Sequence, residues 1–464
     1  MFKIDPNVTA KKLLPAVENL LALSAKKIDR LERRWRPDAG APVFTVKGKY
    51  TARGWTEWTQ GFQFGSAILQ FDATDDRAFL ELGCRATVER MASHVSHVGV
   101  HDHGFNNVST YGNLLRLWHE GRTSPSSWER HFYELALKIS GAVQAARWTK
   151  LSDDQGYIYS FNGPHSLFSD TVRSLRVLAL SHQLGHCLMG ERDRRISLLE
   201  RLLQHAEATS RYNVYFGAGR DAYDVCGRVA HESIFNLNDG SYRCPTTQQG
   251  YSPFSTWTRG QAWILCGYAE QLEFIETLPA KELASKPITE RRAPALRVLA
   301  SFEETARAVA DFWIEHSPTD GIPYWDTGAP GLAKLKNYQD RPADPFNEHE
   351  PVDSSAAVIA AQGFLRLGNH LQAKGEAKAG QRYRQAGLTL AKRLFGEPYL
   401  SRDERHEGLI LHSVYHRPNG WDHVPDGRRI PCGESSMWGD YHARELALMI
   451  LREATGQPYY KFFL

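Results

Sequence analysis

Residues 246–263 read TTQQGYSPFSTWTRGQAW, and the fold of the whole chain can be worked outward from them. Pro253 interrupts the backbone, Ser255 or Thr256 offers a cap, and Ala262, Trp263, Ile264 and Leu265 open an apolar helix over 258–276. Trp257 and Gln261 stand four apart, as do Arg259 and Trp263, so each pair shares a helix face. A guanidinium fixed between aromatic rings at a helix N-terminus suits an anionic, ring-shaped ligand. A surface cation–π cluster over a core tryptophan has the same letters. The rest of the chain decides between the two.

Apolar periodicity predicts helices over 8–31, 61–72, 76–94, 109–119, 127–148, 170–184, 191–210, 258–276, 295–316, 353–367, 375–395 and 436–453. Pro15 marks the first turn of the first helix. Period-two alternation is confined to short stretches, 157–160 and 408–414. Long mixed-charge helices (76–94, 127–148, 191–210, 295–316, 375–395) alternate with shorter, more apolar ones. Each apolar helix follows a polar or aromatic motif: Trp55-Thr56-Glu57-Trp58, His101-Asp102-His103-Gly104-Phe105, His165 to Asp170, Ser255 to Arg259, Asn347 to Asp353, and Glu434 to Asp440. Hairpins of outer and inner helices close naturally into an all-α toroid, here expected as one domain over 1–464. The N-termini of the inner helices then open at one end, and the six motifs line one bowl. No fixed repeat of solenoid length is present. Loops 212–255, 317–351 and 397–434 are long and rich in Gly, Pro, Asp and aromatics, as pocket-forming loops are.

The composition is that of an ordinary globular chain: 464 residues, 42% hydrophobic, 23% charged, net charge +3. That charge is too small to argue for nucleic acid. No apolar run is long enough to span a membrane, and the first twenty residues lack the apolar stretch of a secretory leader. Six scattered cysteines without CxxC or zinc spacing point to a reducing, cytoplasmic setting, or to the periplasm if a leader has been removed. His182 and His186 stand four apart but without an HExxH pattern, so no metal is expected. Phosphate loops and GxSxG elbows are missing. Twelve tryptophans exceed the needs of a core, and stacking on sugar faces uses such an excess.

Asp102 lies in HDHGF and Asp170 begins a helix, where capping alone explains a lone aspartate. If both reach the bowl floor, two carboxylates share a poorly solvated cavity, one pKa rises, and that group becomes an acid near neutral pH. Paired carboxylates are the device of glycoside chemistry. A lone histidine such as His103 or His165 reads first as a structural hydrogen-bonding group.

The string Gln249-Gly250-Tyr251-Ser252 followed by Ser255 to Trp263 resembles the unsaturated glucuronyl hydrolases, glycoside hydrolase family 88. The resemblance runs from about Trp55 to Leu451. It takes in His101-Asp102 with Gly104-Phe105, Asp170, His231, Pro323-Tyr324-Trp325-Asp326, Asp353-Ser354-Ser355-Ala356-Ala357 and Trp438-Gly439-Asp440-Tyr441. It implies an (α/α)6 barrel with long loops at one end. It implies an exolytic enzyme that removes a 4,5-unsaturated uronic acid from the non-reducing end of lyase-generated oligosaccharides by hydrating C4=C5, without metal or organic cofactor. By the match, Asp170 is acid to carbon and base to water and needs a raised pKa, while Asp102 holds substrate hydroxyls and tunes it. His101, His231, Gln249, Trp257, Arg259 and Trp263 match binding positions, with Arg259 on the acidic group and the tryptophans on sugar faces. Ser435 and Ser436 are assigned to the far rim.

There are departures. Gln63 stands where the family often has an aromatic, and loops 212–242 and 334–351 are longer. The related family 105, unsaturated rhamnogalacturonyl hydrolases, shares barrel and chemistry, but RGQAW with QGYS favours family 88. The expected partner is an unsaturated uronyl oligosaccharide, with no nucleic acid or membrane, and a monomer or homodimer. The competing readings are a lyase or epimerase on a similar toroid, using Tyr251 with His231, and a non-catalytic carbohydrate-binding protein.

Overall fold

The computed structural model describes residues 1–54, 57–153, 155–279, 282–283 and 295–463. The long helices, in chain order, are α1 (Ala10–Arg34), α2 (Gln60–Thr74), α3 (Arg77–Arg90), α4 (103–119, with a π turn at Val108–Gly112), α5 (Ser127–Ala146) and α6 (171–183, in two pieces meeting at Leu175). They continue as α7 (Leu198–Asn213), α8 (Thr258–Glu276), α9 (Ala295–His316), α10 (Ser354–Ala373), α11 (Ala377–Leu394) and α12 (Met437–Thr455). Even-numbered helices pack side by side, α2 on α4, α4 on α6, and so on until α12 returns to α2. Odd-numbered helices lie outside, each against its inner neighbours, with α1 against α12 closing the outer layer. This is the (α/α)6 barrel.

The two layers follow from their sequences. α8, α10 and α12 are buried almost all round, as helices without a polar face must be. α1 buries one stripe, Leu13, Val17, Leu20, Leu21, Ile28 and Leu31, and turns the rest to solvent. The barrel axis is not purely apolar. Arg173 and Arg176 of α6 and Arg366 of α10 meet Glu270 of α8 and Glu445 of α12 at 2.5–3.8 Å, all but fully buried. Such pairs survive burial only because each charge has partners.

Short strands decorate the ring. β1 (Phe44–Val46) pairs with β2 (Lys49–Thr51), β3 (Trp148–Lys150) with β4 (Gly156–Ile158), and β6 (Leu188–Met189) with β7 (Arg195–Ile196). β5 (Ser166–Phe168), β8 (Glu232–Phe235) and β9 (Tyr242–Thr246) form one antiparallel sheet in the order β5-β8-β9. That sheet sets Leu167 opposite Ser233, and Ser169 donates its backbone N–H to His231 at 2.9 Å. It therefore carries His231 beside Asp170 and delivers the chain to Gln248 and Gln249.

Several expectations are corrected. α1 begins at Ala10, where the Thr9 hydroxyl accepts from the Lys12 N–H at 3.2 Å, so Pro15 sits inside the helix and not in its first turn. Residues 191–196 make a 3₁₀ turn and β7, and α7 begins only after Ser197. The charged run Glu191 to Arg195 imitates a helix start but has nothing apolar to bury. Residues 408–414 contribute an isolated bridge between Leu400 and Ile410, because that backbone bonds mainly to side chains and caps.

Candidate active site

The approaches to the N-termini of the even-numbered helices meet at one end of the barrel. A cavity of about 380 Å³ opens there, within the range of small-ligand sites. Trp58 reaches it ahead of α2, His101, Asp102 and Phe105 at α4, Asp170 at α6, and Trp257, Arg259 and Trp263 at α8. Trp55 and Thr56 of the first motif lie outside the described residues. Aromatic rings pave the floor: Phe105 lies 4.8 Å from Trp263, and Trp58 stacks on Trp438 at 5.1 Å.

Both aspartates face this cavity, and neither caps its helix. Asp102 precedes α4 and Asp170 precedes α6, each without a side-chain cap bond. Asp353 before α10 and Ser436 before α12 are true caps, accepting from Ser355 and Gly439 backbone N–H groups at 3.0 and 3.1 Å. Gly104 allows the two acids to approach. Its position is so close to α6 that an added Cβ would lie 2.0 Å from the Ser174 carbonyl oxygen. The contact is locked by the Gly104 N–H on the Ser174 hydroxyl (2.8 Å) and the Arg176 Nε–H on the Gly104 carbonyl (2.9 Å).

His101 stands between the carboxylates, with Nε2 3.4 Å from Asp170 Oδ1 and 3.8 Å from Asp102 Oδ1. Burial pushes Asp102 above the ordinary carboxylate range, with Asp170's charge adding to the effect and His101 opposing it. Burial acts on Asp170 in the same sense, but the nearer imidazole outweighs it and holds Asp170 below that range. The expected raised carboxyl is therefore Asp102 in the free protein, not Asp170. Burial disfavours charge on His101, yet the two carboxylates prevail and raise its pKa.

Arg259 is anchored differently from the expectation that it grips an acidic ligand. Nη1 donates to Asp353 (3.0 Å) and to the Val414 carbonyl, and Nη2 to Gln249 Oε1 (2.9 Å) and the Tyr415 carbonyl (2.7 Å). Its guanidinium lies 4.6 Å from the Trp257 ring and 4.8 Å from Trp438. Four of its five donors are thereby occupied. What it offers the cavity is the Gln249 amide, whose oxygen it holds so that the NH₂ remains free to donate. His231 does not line the cavity but stands behind its wall, its ring 4.5 Å from Phe168 and 4.7 Å from Trp257. Its Nδ1 accepts from the Gln248 and Gln249 N–H groups at 3.0 and 3.3 Å, placing the ring proton on Nε2. Burial pushes its pKa down to about 3, so it is a neutral donor.

Ser255 and Thr256 do not cap α8. Trp257 is the N-cap residue without a side-chain bond, and Thr258 Oγ1 donates to the Tyr324 and Trp325 carbonyls. Gln261 turns away from Trp257's cavity face and donates to the Val309 carbonyl of α9. Ser435 and Ser436 lie outside the cavity. Both are fully buried, Ser435 bonding the Ile410 carbonyl and Ser436 capping α12. The rim expected of them is supplied by Tyr415, His416, Asn419 and Trp421, from the long loop after α11. Sequence reasoning marked that loop as pocket-forming, but its residues follow no helical or strand period that would single them out. Tyr251, half exposed, does not line the cavity, and His231 Nδ1 is occupied, so the Tyr–His pair a lyase would need is not assembled.

The chain matches no family model. It is 25% identical to an unsaturated glucuronyl hydrolase of Bacillus sp. (strain GL1), covering 96% of this chain and 98% of that protein. It is 23% identical to an unsaturated glucuronyl hydrolase of Formosa agariphila, over 84% of this chain and 78% of that one. Among solved structures, the Bacillus sp. GL1 unsaturated glucuronyl hydrolase superposes with a TM-score of 0.68 at 22% identity, covering 97% of this chain and 98% of the other. An unsaturated glucuronyl hydrolase specific for heparin gives a TM-score of 0.70 at 19% identity, covering 97% of this chain and 100% of the other. From end to end, then, the chain is similar to unsaturated glucuronyl hydrolases, and it shares their barrel.

Proposed function

We propose that this protein is an exolytic glycoside hydrolase that removes a 4,5-unsaturated uronic acid from the non-reducing end of lyase-generated oligosaccharides. The observation that carries the reading is the meeting of Asp102 and Asp170, both free of capping duty, at the floor of one aromatic-walled cavity. C4=C5 beside the ring oxygen is an enol ether. Protonation of C4 by Asp170 leaves positive charge shared by C5 and the ring oxygen. Water adds to C5 while the Asp170 carboxylate takes its proton, so the acid is regenerated. The resulting hemiketal opens, and the glycosidic bond breaks to release the shortened sugar. Asp102 binds sugar hydroxyls, the Gln249 amide serves as donor to the uronate with His231 supporting it from behind through the Gln248 and Gln249 N–H groups, and Trp257 and Trp263 face the ring.

Six unpaired cysteines support a reducing, cytoplasmic location. Among the described residues no helix is long and apolar enough to cross a membrane. The test is a panel of unsaturated disaccharides prepared with polysaccharide lyases, followed by the ultraviolet absorbance of the conjugated double bond. The hydrolase lowers it. A rise marks a lyase, and binding without change marks a non-catalytic carbohydrate-binding protein.

A further inference from the structure

An acid that must protonate carbon is kept ionised in the resting site by its own neighbour. The neighbour is held firmly. His101 is 1% exposed, lies flat against Phe161 (ring centroids 5.9 Å, interplanar angle 15°) and meets Phe168 edge-on at 5.5 Å. Among the described residues, neither of its ring nitrogens has a hydrogen bond within normal geometry, and the same holds for Asp170 Oδ1. A buried imidazole without a fixed partner on either nitrogen has not been committed to one tautomer, unlike His103, which is held by the Ser140 hydroxyl and the His97 carbonyl. The 3.4 Å separation from Asp170 is longer than a charge-assisted hydrogen bond, and such contacts close when substrate binds.

The other charged and titratable groups around His101 cannot replace it. Arg147 donates to the Val98, Tyr159 and Ser160 carbonyls. His205 Nδ1 accepts the Ile158 N–H at 3.0 Å, and His231 Nδ1 accepts two backbone amides. His97 acts on the site from the Asp102 side. Among the described residues, only Asp102 and Asp170 carry a titratable oxygen within 4 Å of a His101 ring nitrogen.

Resting on the hydration reading above, we propose that His101 Nε2 holds the catalytic proton in the free enzyme and passes it to Asp170 Oδ1 when substrate fills the cavity. The transfer breaks one N–H bond and forms one O–H bond, turning imidazolium and carboxylate into imidazole and carboxylic acid. No proton enters or leaves the trio. Two effects drive it. The substrate carboxylate adds negative charge beside Asp170, and expulsion of water penalises the ion pair more than the neutral pair. His101 is then a positioning residue: it sets the protonation state of Asp170 without touching the reacting carbon.

The experiment is the rate–pH profile of full-length His101→Gln and His101→Phe, the second keeping the packing on Phe161 and Phe168. It is measured on an unsaturated disaccharide that the parent hydrolyses, with melting temperatures recorded alongside. Without the imidazole the acid belongs to a carboxylate pair alone. The basic limb of kcat/KM should move toward acid by at least about one pH unit, so the loss is about tenfold greater above the limb than below it. An active parent whose variants lose rate equally at every pH, or keep the parent limb, overturns this proposal alone. A parent that leaves every unsaturated disaccharide untouched overturns the functional reading and the proposal together.

Discussion

At the residue scale, the question is which side chains act and which merely hold. Arg259 holds. Its fork joins Gln249, Asp353 and two carbonyls of the 412–422 loop, and a lysine ammonium cannot span them. Arg259→Lys should lower kcat/KM by about ten- to a hundredfold, through loss of the Gln249 amide. The melting temperature should fall as well, and steady-state kinetics beside a thermal scan checks both. Full activity in a folded variant would show that Gln249 needs no such support. The sequence made this set of residues legible but not their duties. Asp170, Asp353 and Ser436 all stand at helix starts, and letters alone cannot tell a cap from a free acid. The difference lies in where the side chain turns. Asp353 turns back onto its own helix, and Asp170 turns into the cavity beside His101. Ser435 and Ser436 were misplaced for the same reason: the Ser436 hydroxyl turns back to accept the Gly439 N–H of its own helix, and the Ser435 hydroxyl donates to the Ile410 carbonyl.

At the element scale, the inner helices fix how far apart the acids stand. Gly104→Ala places a methyl against the Ser174 backbone, which cannot yield as a flexible side chain does. α4 and α6 must move apart, at a cost of about 1–3 kcal/mol in stability. The loss of activity should exceed what that stability change explains, because the gap between Asp102 and Asp170 widens. Denaturant unfolding and kinetics on the same preparation separate the two effects. The long helices were the legible elements: the inner 258–276 and the outer 295–316 both match the helices found, because long apolar or amphipathic runs leave little choice. The sheet of β5, β8 and β9 was missed, since three- to five-residue strands separated by long loops carry no period to detect. It is nonetheless the element that brings His231 to Asp170.

At the scale of the whole molecule, burial of titratable groups governs the response to pH. Burial pushes His94, His103, His412 and His416 down to about 4, and His205, His231 and His442 down to about 3. Their unfolded values lie near 6.5, so below that pH the unfolded chain takes up protons that the fold refuses. Stability therefore falls as pH drops through 6.5, each histidine contributing up to about 1.4 kcal/mol per pH unit. Asp326, which burial raises to about 6, and the raised Asp102, Glu207, Glu273, Asp320, Asp422, His101 and His370 act in the opposite sense and offset part of that fall. The melting temperature should drop steeply between pH 6.5 and pH 5, and a flat profile would contradict the buried-neutral assignment.

The central claim is that Asp170 delivers a proton to C4, and it is tested most directly by running the reaction in D₂O and locating deuterium in the released uronic acid product by NMR. The account predicts one deuterium at C4 from the parent protein and no turnover by folded Asp170→Asn. Cleavage of the glycosidic bond without deuterium at C4, or an unchanged rate in Asp170→Asn, would contradict it.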